Sequence, residues 1–388
     1  MALRISWQQK EQTLPKNQYV KLTASLKNEP KIYDYNQVLE IGDGKVYIDL
    51  YPRYRVGDRL LVEGQVDSQG KIYHPKIEKL GYVSNFASYF ANLRTKISGN
   101  ISQILPQDEA TLVSGTVLGV DNIERDFRDA LIKTGTIHVV VVSGQNLMIV
   151  AGVFLSLAKY IGRRKSLILA LVASFSYALL TGFEPPVLRA TLMVLASTLA
   201  IYFGRETLPI WNLVLAALLI LFIWPQALFE ISFQLTFAAT LGIMTLSSAM
   251  QKSMRNRLKV SILFDSALQN AAIAVSAYIF TAPIILYYFG RVSILSPIVN
   301  VLVIEAVFPI MILGFVVAFL SLIFMPLAQI IAYFVYAPAF YFVKVVKFFA
   351  QVPIEQMSLG KGNLVIVIGF YVLLFVLILI WTRRQKLF

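Results

Sequence analysis

Apolar residues follow three rhythms along this chain. In residues 1–83 they alternate with polar ones in short runs: YVKLTASL, NQVLEIG, KVYIDLY, RLLVEGQV and KIYHPKIEKL. Turn signals divide the runs: GDG at 42–44, VGD at 56–58 and DSQG at 67–70. A two-residue period bounded by Gly and Asp predicts strands. Short strands in such number predict a small closed barrel, OB-like or SH3-like. In residues 84–135 the spacing widens to three and four. Phe86, Tyr89, Phe90, Leu93 and Ile97 share one face, and beyond the break at Pro106 so do Ile123, Phe127, Leu131 and Ile132. This period predicts amphipathic connector helices, the first lying at a membrane surface and the second stopped by Gly135. Residues 136–388 then carry about nine apolar segments, at 137–157, 166–182, 187–203, 208–224, 230–249, 267–289, 295–323, 328–350 and 363–382. A spanning helix needs about 20 residues, which most of them approach or exceed. The expected fold is a polytopic α-helical membrane protein with a small N-terminal all-β (OB-like) domain. Its parts are a β-barrel at 1–83, connector helices at 84–135 and a transmembrane domain at 136–388.

Composition agrees. Hydrophobic residues make up 57%, charged residues 15% and the mean hydropathy is +0.66, against about 25% charged in soluble domains. The chain has no cysteine and only His74 and His138. That excludes disulfides, thiolate metal sites and a cysteine nucleophile, and leaves too few ligands for a dedicated zinc site. No metal and no cofactor are expected. Residues 1–30 contain no apolar signal-peptide core, so export of the β-domain would need an upstream anchor or the first helices.

Charge sets an orientation. The net charge is +13, of which residues 1–85 hold +3 and residues 86–388 hold +10. Much of the excess sits in Lys159, Arg163, Arg164 and Lys165, in Arg205, in Lys252, Arg255, Arg257 and Lys259, and in Arg383, Arg384 and Lys386. All fall on one side if each segment spans once. The other side carries Glu184, Glu230, Arg291, Glu355 and Lys361. The positive-inside rule then places the C-terminus in the cytoplasm and the β-domain outside. Lys344 and Lys347 approach the outer face, where they can snorkel or line a path.

Polar side chains interrupt the apolar segments at four places. HVVVVSGQNLMIVAG, residues 138–152, holds His138, Ser143, Gly144 and Asn146. His138 and Asn146 are eight residues apart and would lie near one face of a continuous helix, whereas Ser143 and Gly144 invite close packing or a break. FEPPVLRATL places Arg189 just after a double proline. LFEISFQLTFAATLG carries Glu230, Ser232, Gln234 and Thr236. GRVSILSPIVNVLVIEA carries Arg291, Ser293, Ser296, Asn300 and Glu305. A polar group in hydrocarbon needs a partner or a wet cavity. Arg189 is the expected partner of Glu305. Together the four stretches describe a polar interior, either a translocation path or an intramembrane site.

These stretches resemble the ComEC-type competence membrane domain. Its signature is a histidine, apolar residues, Ser-Gly and a second histidine three residues after the serine. His138, Ser143 and Gly144 match, and Asn146 stands in place of the second histidine. SGTVLGVDNIERDFRDALIKTGTIH is similar to the approach to that signature. PPVLRATLM matches a Pro-x-x-Arg-Ala element through Pro186, Arg189 and Ala190. FEISFQLTFAATLGI matches a Ser-Phe-Gln-Leu-Ser-Phe element with Thr236 for the second serine. YYFGRVSILSPIVNVLVI matches a Phe-Gly-x-x-Ser…Pro…Asn element, and VGDRLLVEGQV is similar to the end of the family's extracytoplasmic OB domain. The resemblance covers nearly the whole chain, with Asn146 and Glu305 departing from the pattern. Asn can donate and accept hydrogen bonds but carries no proton charge.

The resemblance implies a channel in the bacterial inner membrane that imports single-stranded DNA during natural transformation. It implies no enzyme activity here, since the metallo-β-lactamase-like domain and histidine-rich motif of some members are missing from these residues, as are the helices that often precede the OB domain. The expected path is lined by His138, Ser143, Gly144, Asn146, Arg189, Ser232, Gln234, Arg291, Ser296, Asn300 and Glu305, of which Arg189, Arg291, Ser143, Ser232, Gln234 and Asn300 are the chemical types suited to hold phosphates without gripping them. On the β-domain, Tyr51, Arg53, Tyr54, Arg55, Tyr73 and His74 interleave cations and rings, and Arg53, Tyr54, Arg55 and Tyr73 are the expected DNA contacts. The expected partners are single-stranded DNA and the lipid bilayer, then a separate nuclease, a DNA receptor, a cytoplasmic ATPase and a second copy of the chain. Two other readings compete. One is a proton-coupled small-solute transporter with Glu305 and His138 as a relay. The other is an intramembrane hydrolase using Ser143 and His138, awkward on one regular helix because the two are five residues apart.

Overall fold

The computed structural model describes residues 15, 17–26, 30–32, 36–42, 44–183, 185–202, 209–258, 265–353, 357–358 and 364–385. Glu184, Arg205, Lys259, Glu355, Lys361 and Lys386, used above for orientation, lie outside these residues, and the side chains of Arg257, Arg383 and Arg384 are likewise not described.

The N-terminal part is all-β: β1 (Tyr19–Ser25), β2 (Lys31–Ile32), β3 (Asn36–Ile41), β4 (Gly44–Asp49), β5 (Asp58–Gln65), β6 (Lys71–Tyr73) and β7 (Lys76–Tyr82). One sheet has the order β1-β5-β7 and the other β2-β3-β4-β6. The pairs are antiparallel except β4 with β6. KIYHPKIEKL thus forms two strands rather than one. His74 between them takes φ +46, and Pro75 has no N–H to continue a ladder. Inward residues alternate along β4, β5 and β6. Val20, Leu39, Val46, Leu60, Val62 and Ile72 make a closed core.

Helices follow. α1 (Phe86–Ile104) is opened by a capping box, in which Asn85 Oδ1 accepts from the Ser88 N–H and Ser88 Oγ accepts from the Asn85 N–H. Two first-turn donors are satisfied that way. α2 (Gln107–Leu118) and α3 (Arg125–Thr134) complete the connector. Then come α4 (Ile137–Val140), α5 (Gly144–Ser156), α6 (Ala158–Ile161), α7 (Arg163–Leu180), α8 (Pro185–Tyr202) and α9 (Pro209–Ile223). A 3₁₀ turn (Pro225–Phe229) leads into α10 (Ile231–Gly242), which runs through a π-helical stretch (Ile243–Ser247) into α11 (Ser248–Leu258). The chain continues with α12 (Asp265–Phe289), β8 (Arg291–Val292), α13 (Ser296–Ile323), α14 (Met325–Ala350), β9 (Met357–Ser358) and α15 (Leu364–Gln385).

The protein is a polytopic helical membrane protein. Among the described residues six helices are long and apolar enough to cross a membrane: Gly144–Ile161, Pro185–Tyr202, Ile231–Arg255, Asp265–Phe289, Ser296–Ile323 and Met325–Ala350. That is short of the nine segments expected. α9 has only 15 residues, below the length of a full span, and the 18 residues of α7 begin with Arg163, Arg164 and Lys165.

α2 lies in the core, with Leu112, Val113, Thr116, Val117 and Leu118 at 0% exposure. Gly314 of α13 lies so close that a Cβ there would meet Val117 at 2.8 Å. Small residues allow such approach where packing, not water, drives helix association. The Lys347 ammonium of α14 pairs with the Asp108 carboxylate at the α2 N-terminus, where a negative charge also complements the helix dipole. Lys344 sits over the Phe340 ring, 5.3 Å from its centroid. Arg94 of α1 donates to the Leu180 carbonyl at the end of α7 (3.2 Å), and Asn100 to Ser321 of α13 (2.9 Å).

Candidate functional site

The HVVVVSGQNLMIVAG stretch is not one helix. α4 ends at Val140, Val141 and Ser143 are extended (ψ 139 and 164), and α5 restarts at Gly144. The end of α4 is pressed onto α2: a Cβ on Gly115 would lie 2.6 Å from the Val140 carbonyl oxygen. His138 and Asn146 therefore do not share a helix face. His138 is exposed on α4, its imidazole in hydrogen-bonding reach of the Gly135 backbone. Asn146 is buried, at 1% exposure.

Asn146 and Tyr177 close the end of α2. The last carbonyls of a helix lack intrahelical partners. Gly119 takes a left-handed conformation, and its N–H and that of Val120 serve Gly115 and Ser114. The Thr116 carbonyl accepts instead from Asn146 Nδ2 (3.2 Å) and the Tyr177 hydroxyl (2.9 Å). Ser143 donates to Asn146 Oδ1 (3.2 Å), so its hydroxyl supports this network rather than the hydrolase geometry with His138. Thr116 and Tyr177 were not among the expected residues.

Ser296 and Asn300 belong to a second junction. Gly135 ends α3 with φ +71, and a Cβ there would fall 2.6 Å from the Ser296 side chain. Ser293 Oγ donates to the Lys133 carbonyl (2.6 Å), and Asn300 Nδ2 donates to the Ser296 carbonyl and hydroxyl (2.8 and 3.0 Å).

Arg189 anchors a third cluster. α8 opens on Pro185 and Pro186, residues suited to a first turn whose N–H groups have no partner. One turn on, Arg189 is 3% exposed. Its Nη2 donates to the Ser232 carbonyl (3.0 Å), Ser232 Oγ (2.7 Å) and Thr236 Oγ1 (2.8 Å) of α10. Ser232 and Thr236 are four residues apart and so share a helix face. Its Nε is buried without a partner. These hydrogen bonds all go to neutral groups, and the field of Glu230, the α10 N-cap residue, reaches the guanidinium. Gln234, on another face of α10, donates to the Leu228 carbonyl (3.0 Å) and caps the 3₁₀ turn. Gly144 approaches α8 at Ala190, beside Arg189, with 3.2 Å left for a Cβ.

The expected Arg189–Glu305 pair does not form. Glu305 is exposed on α13 and accepts from Asn270 Nδ2 of α12 (2.6 Å). Arg291 is exposed in β8, paired with Ser358 of β9. On the β-domain Arg53 and Arg55 are exposed, and Tyr73 is 53% exposed. Tyr54 instead packs against the β core, and burial raises its phenol above the ordinary pKa. Among the described residues no group of three or more His, Cys, Asp and Glu is placed to hold a metal.

A membrane helix bundle with broken helices, a buried cation and polar caps at its interior helix ends defines a polytopic membrane protein with a polar core. The profile of the competence protein family matches residues 117–384, more than half of the chain, and the chain belongs to that family. It is 31% identical over 235 residues to ComE operon protein 3 of Bacillus subtilis (strain 168), a match covering 59% of this chain and 28% of that protein. It is 29% identical over 164 residues to an uncharacterized protein of Aquifex aeolicus (strain VF5), covering 42% of this chain and 38% of that one. The matched regions thus span well under half the length of these relatives. No solved structure matches the chain.

Proposed function

We propose that the chain forms the passage by which single-stranded DNA crosses the bacterial inner membrane during natural transformation. Arg189 carries this reading beyond family membership. Burying a cation costs several kcal/mol of hydration, and here the hydrogen bonds that offset it come from hydroxyl and carbonyl oxygens. Such partners can be exchanged for phosphate oxygens one at a time, as a path for a strand with one charge per nucleotide requires. In this reading the β-domain is an OB-like module outside the membrane and the C-terminus lies in the cytoplasm, as the Lys159–Lys165 and Lys252–Arg255 clusters suggest. The exposed aromatic start of α1, Phe86 and Tyr89, rests at the membrane surface. A separate nuclease, a DNA receptor, a cytoplasmic ATPase and a second copy of the chain are the partners the task calls for.

The test is uptake of end-labelled DNA into nuclease-protected cytoplasm. Cells deleted for the gene are complemented with wild type, Arg189→Ala or Arg189→Lys at equal membrane abundance. Wild type restores protected single strands, Arg189→Ala lowers them at least about tenfold, the loss expected for more than about 1.4 kcal/mol of phosphate contact, and Arg189→Lys falls between. Unchanged protected DNA in the deletion strain sinks the reading.

A further inference from the structure

We propose that the first binding site for the incoming strand is a tyrosine platform on the outer face of β4 and β6. The inference rests on the proposed role in strand transport and names where the strand is first held.

The tripeptide Lys-aliphatic-Tyr occurs twice in the β-domain, as Lys45-Val46-Tyr47 and Lys71-Ile72-Tyr73. β4 and β6 pair in parallel with Lys45 opposite Lys71 and Tyr47 opposite Tyr73. The central Val46 and Ile72 point into the core at 0% exposure. By strand alternation both lysines and both tyrosines face outward. The two rings stack, with centroids 5.0 Å apart and planes at 19°. Each has one face against the other. Tyr73, at the sheet edge and exposed, offers its outer face to a base, whereas the far side of Tyr47 is flanked by the buried Val38 of β3, so Tyr47 backs the platform. The lysines stand about 7 Å along the strands from the rings, about one nucleotide step of an extended strand.

The flank of the platform is built rather than loose. Gln37 is 1% exposed, and its Nε2 donates to the carbonyls of Asp49 (3.1 Å), Leu50 (3.2 Å) and Pro52 (2.6 Å). Its Oε1 accepts from the Tyr54 N–H (3.4 Å). This clamp fixes the segment leaving β4. That segment presents Tyr51, 69% exposed, with the Arg53 guanidinium 5.5 Å from its ring centroid. Among the described residues two acids share the surface: Glu40, opposite Lys45 in the β3–β4 ladder, and Asp49, 4.0 Å from His74 Nδ1. They keep the positive field moderate, so stacking carries much of the binding and release remains easy. Every base has a π-face, so the site is sequence-tolerant. In a duplex those faces are already stacked, so the ligand is single-stranded DNA.

The experiment measures anisotropy of a fluorescein-labelled oligothymidylate with the full chain in lipid nanodiscs. Tyr47→Leu/Tyr73→Leu is expected to weaken binding about tenfold or more for each stack lost. Tyr47→Phe/Tyr73→Phe, which keeps the rings, stays near wild type and controls for folding. Lys45→Glu/Lys71→Glu weakens binding and lowers the slope of log K against log salt by about 1 to 2. Unlabelled duplex competes poorly. Wild-type affinity in the leucine pair, or competition by duplex equal to that by single strand, overturns the platform. The passage reading is judged separately, by the deletion strain and Arg189→Ala: if uptake still requires Arg189 while the leucine pair binds normally, only the platform falls.

Discussion

At the scale of single residues, polar groups in the bundle divide into those that hold the backbone and those that hold a charge. Asn146 and Tyr177 meet on one carbonyl, that of Thr116. Removing Asn146 leaves Ser143 without its acceptor and the carbonyl with one donor. Asn146→Ala is expected to cost about 1–3 kcal/mol and Tyr177→Phe about 1 kcal/mol, with a non-additive double variant because the acceptor is shared. Thermal unfolding of the purified chain, followed by circular dichroism, checks this. An Asn146→Ala protein as stable as wild type yet defective in uptake would move Asn146 from structure to substrate contact. Arg189 was legible in the sequence because a cation in an apolar run stands out. Its attachment to Ser232 and Thr236 was half legible, from their four-residue spacing. Thr116 was not legible, because the acceptor is a backbone oxygen and any residue supplies one. Glu305 misled for the converse reason. Opposite charges in a hydrophobic sequence invite pairing on paper, but an exposed carboxylate met by Asn270 has no need of Arg189.

Elements show where periodicity suffices and where it fails. α1 and α3 follow the expected three-and-four spacing, and all but the last expected strand form as single strands. α2 escaped because nine of its 12 residues are buried, which leaves no continuous polar face to mark it: its sequence, QDEATLVSGTVL, reads as neither amphipathic helix nor span. The α4–α5 break was half legible: Ser143 and Gly144 left close packing or a break open, and the contact at Val140 that accompanies the break lies on another element, at Gly115. Gly135 illustrates a junction fixed from both sides, by a left-handed backbone and by Ser296. Gly135→Ala is expected to destabilise by about 1 kcal/mol from backbone strain, plus about 1–3 kcal/mol from overpacking against Ser296. Ser296→Ala leaves the main obstacle, its Cβ, in place, so Gly135→Ala/Ser296→Gly should recover more stability than Gly135→Ala/Ser296→Ala. Equal melting temperatures for the two double variants would show that Ser296 does not limit the site.

Across the whole molecule, α1 ties the β-domain to the helix bundle. Its capping box abuts the β-domain, where Asn92 donates to the Tyr82 hydroxyl (2.7 Å), and farther along Arg94 and Asn100 grip the ends of α7 and α13. In the proposed roles, a strand held on the β4–β6 face and a strand moving past Arg189 would occupy two stations joined by one helix, and the two steps should separate in their dependence on DNA concentration. Loss of the Tyr47–Tyr73 platform weakens capture without touching the passage. It should raise the DNA concentration for half-maximal uptake about tenfold or more while leaving the plateau. Loss of Arg189 acts after capture and should lower the plateau while leaving the half-maximal concentration near wild type, because a change confined to the later step alters rate rather than occupancy. Titration of labelled DNA on cells carrying each variant reads both parameters in one experiment. If both variants lower the plateau equally and leave the midpoint unmoved, the β-domain and the bundle act as one site, and the division of labour between capture and passage is wrong.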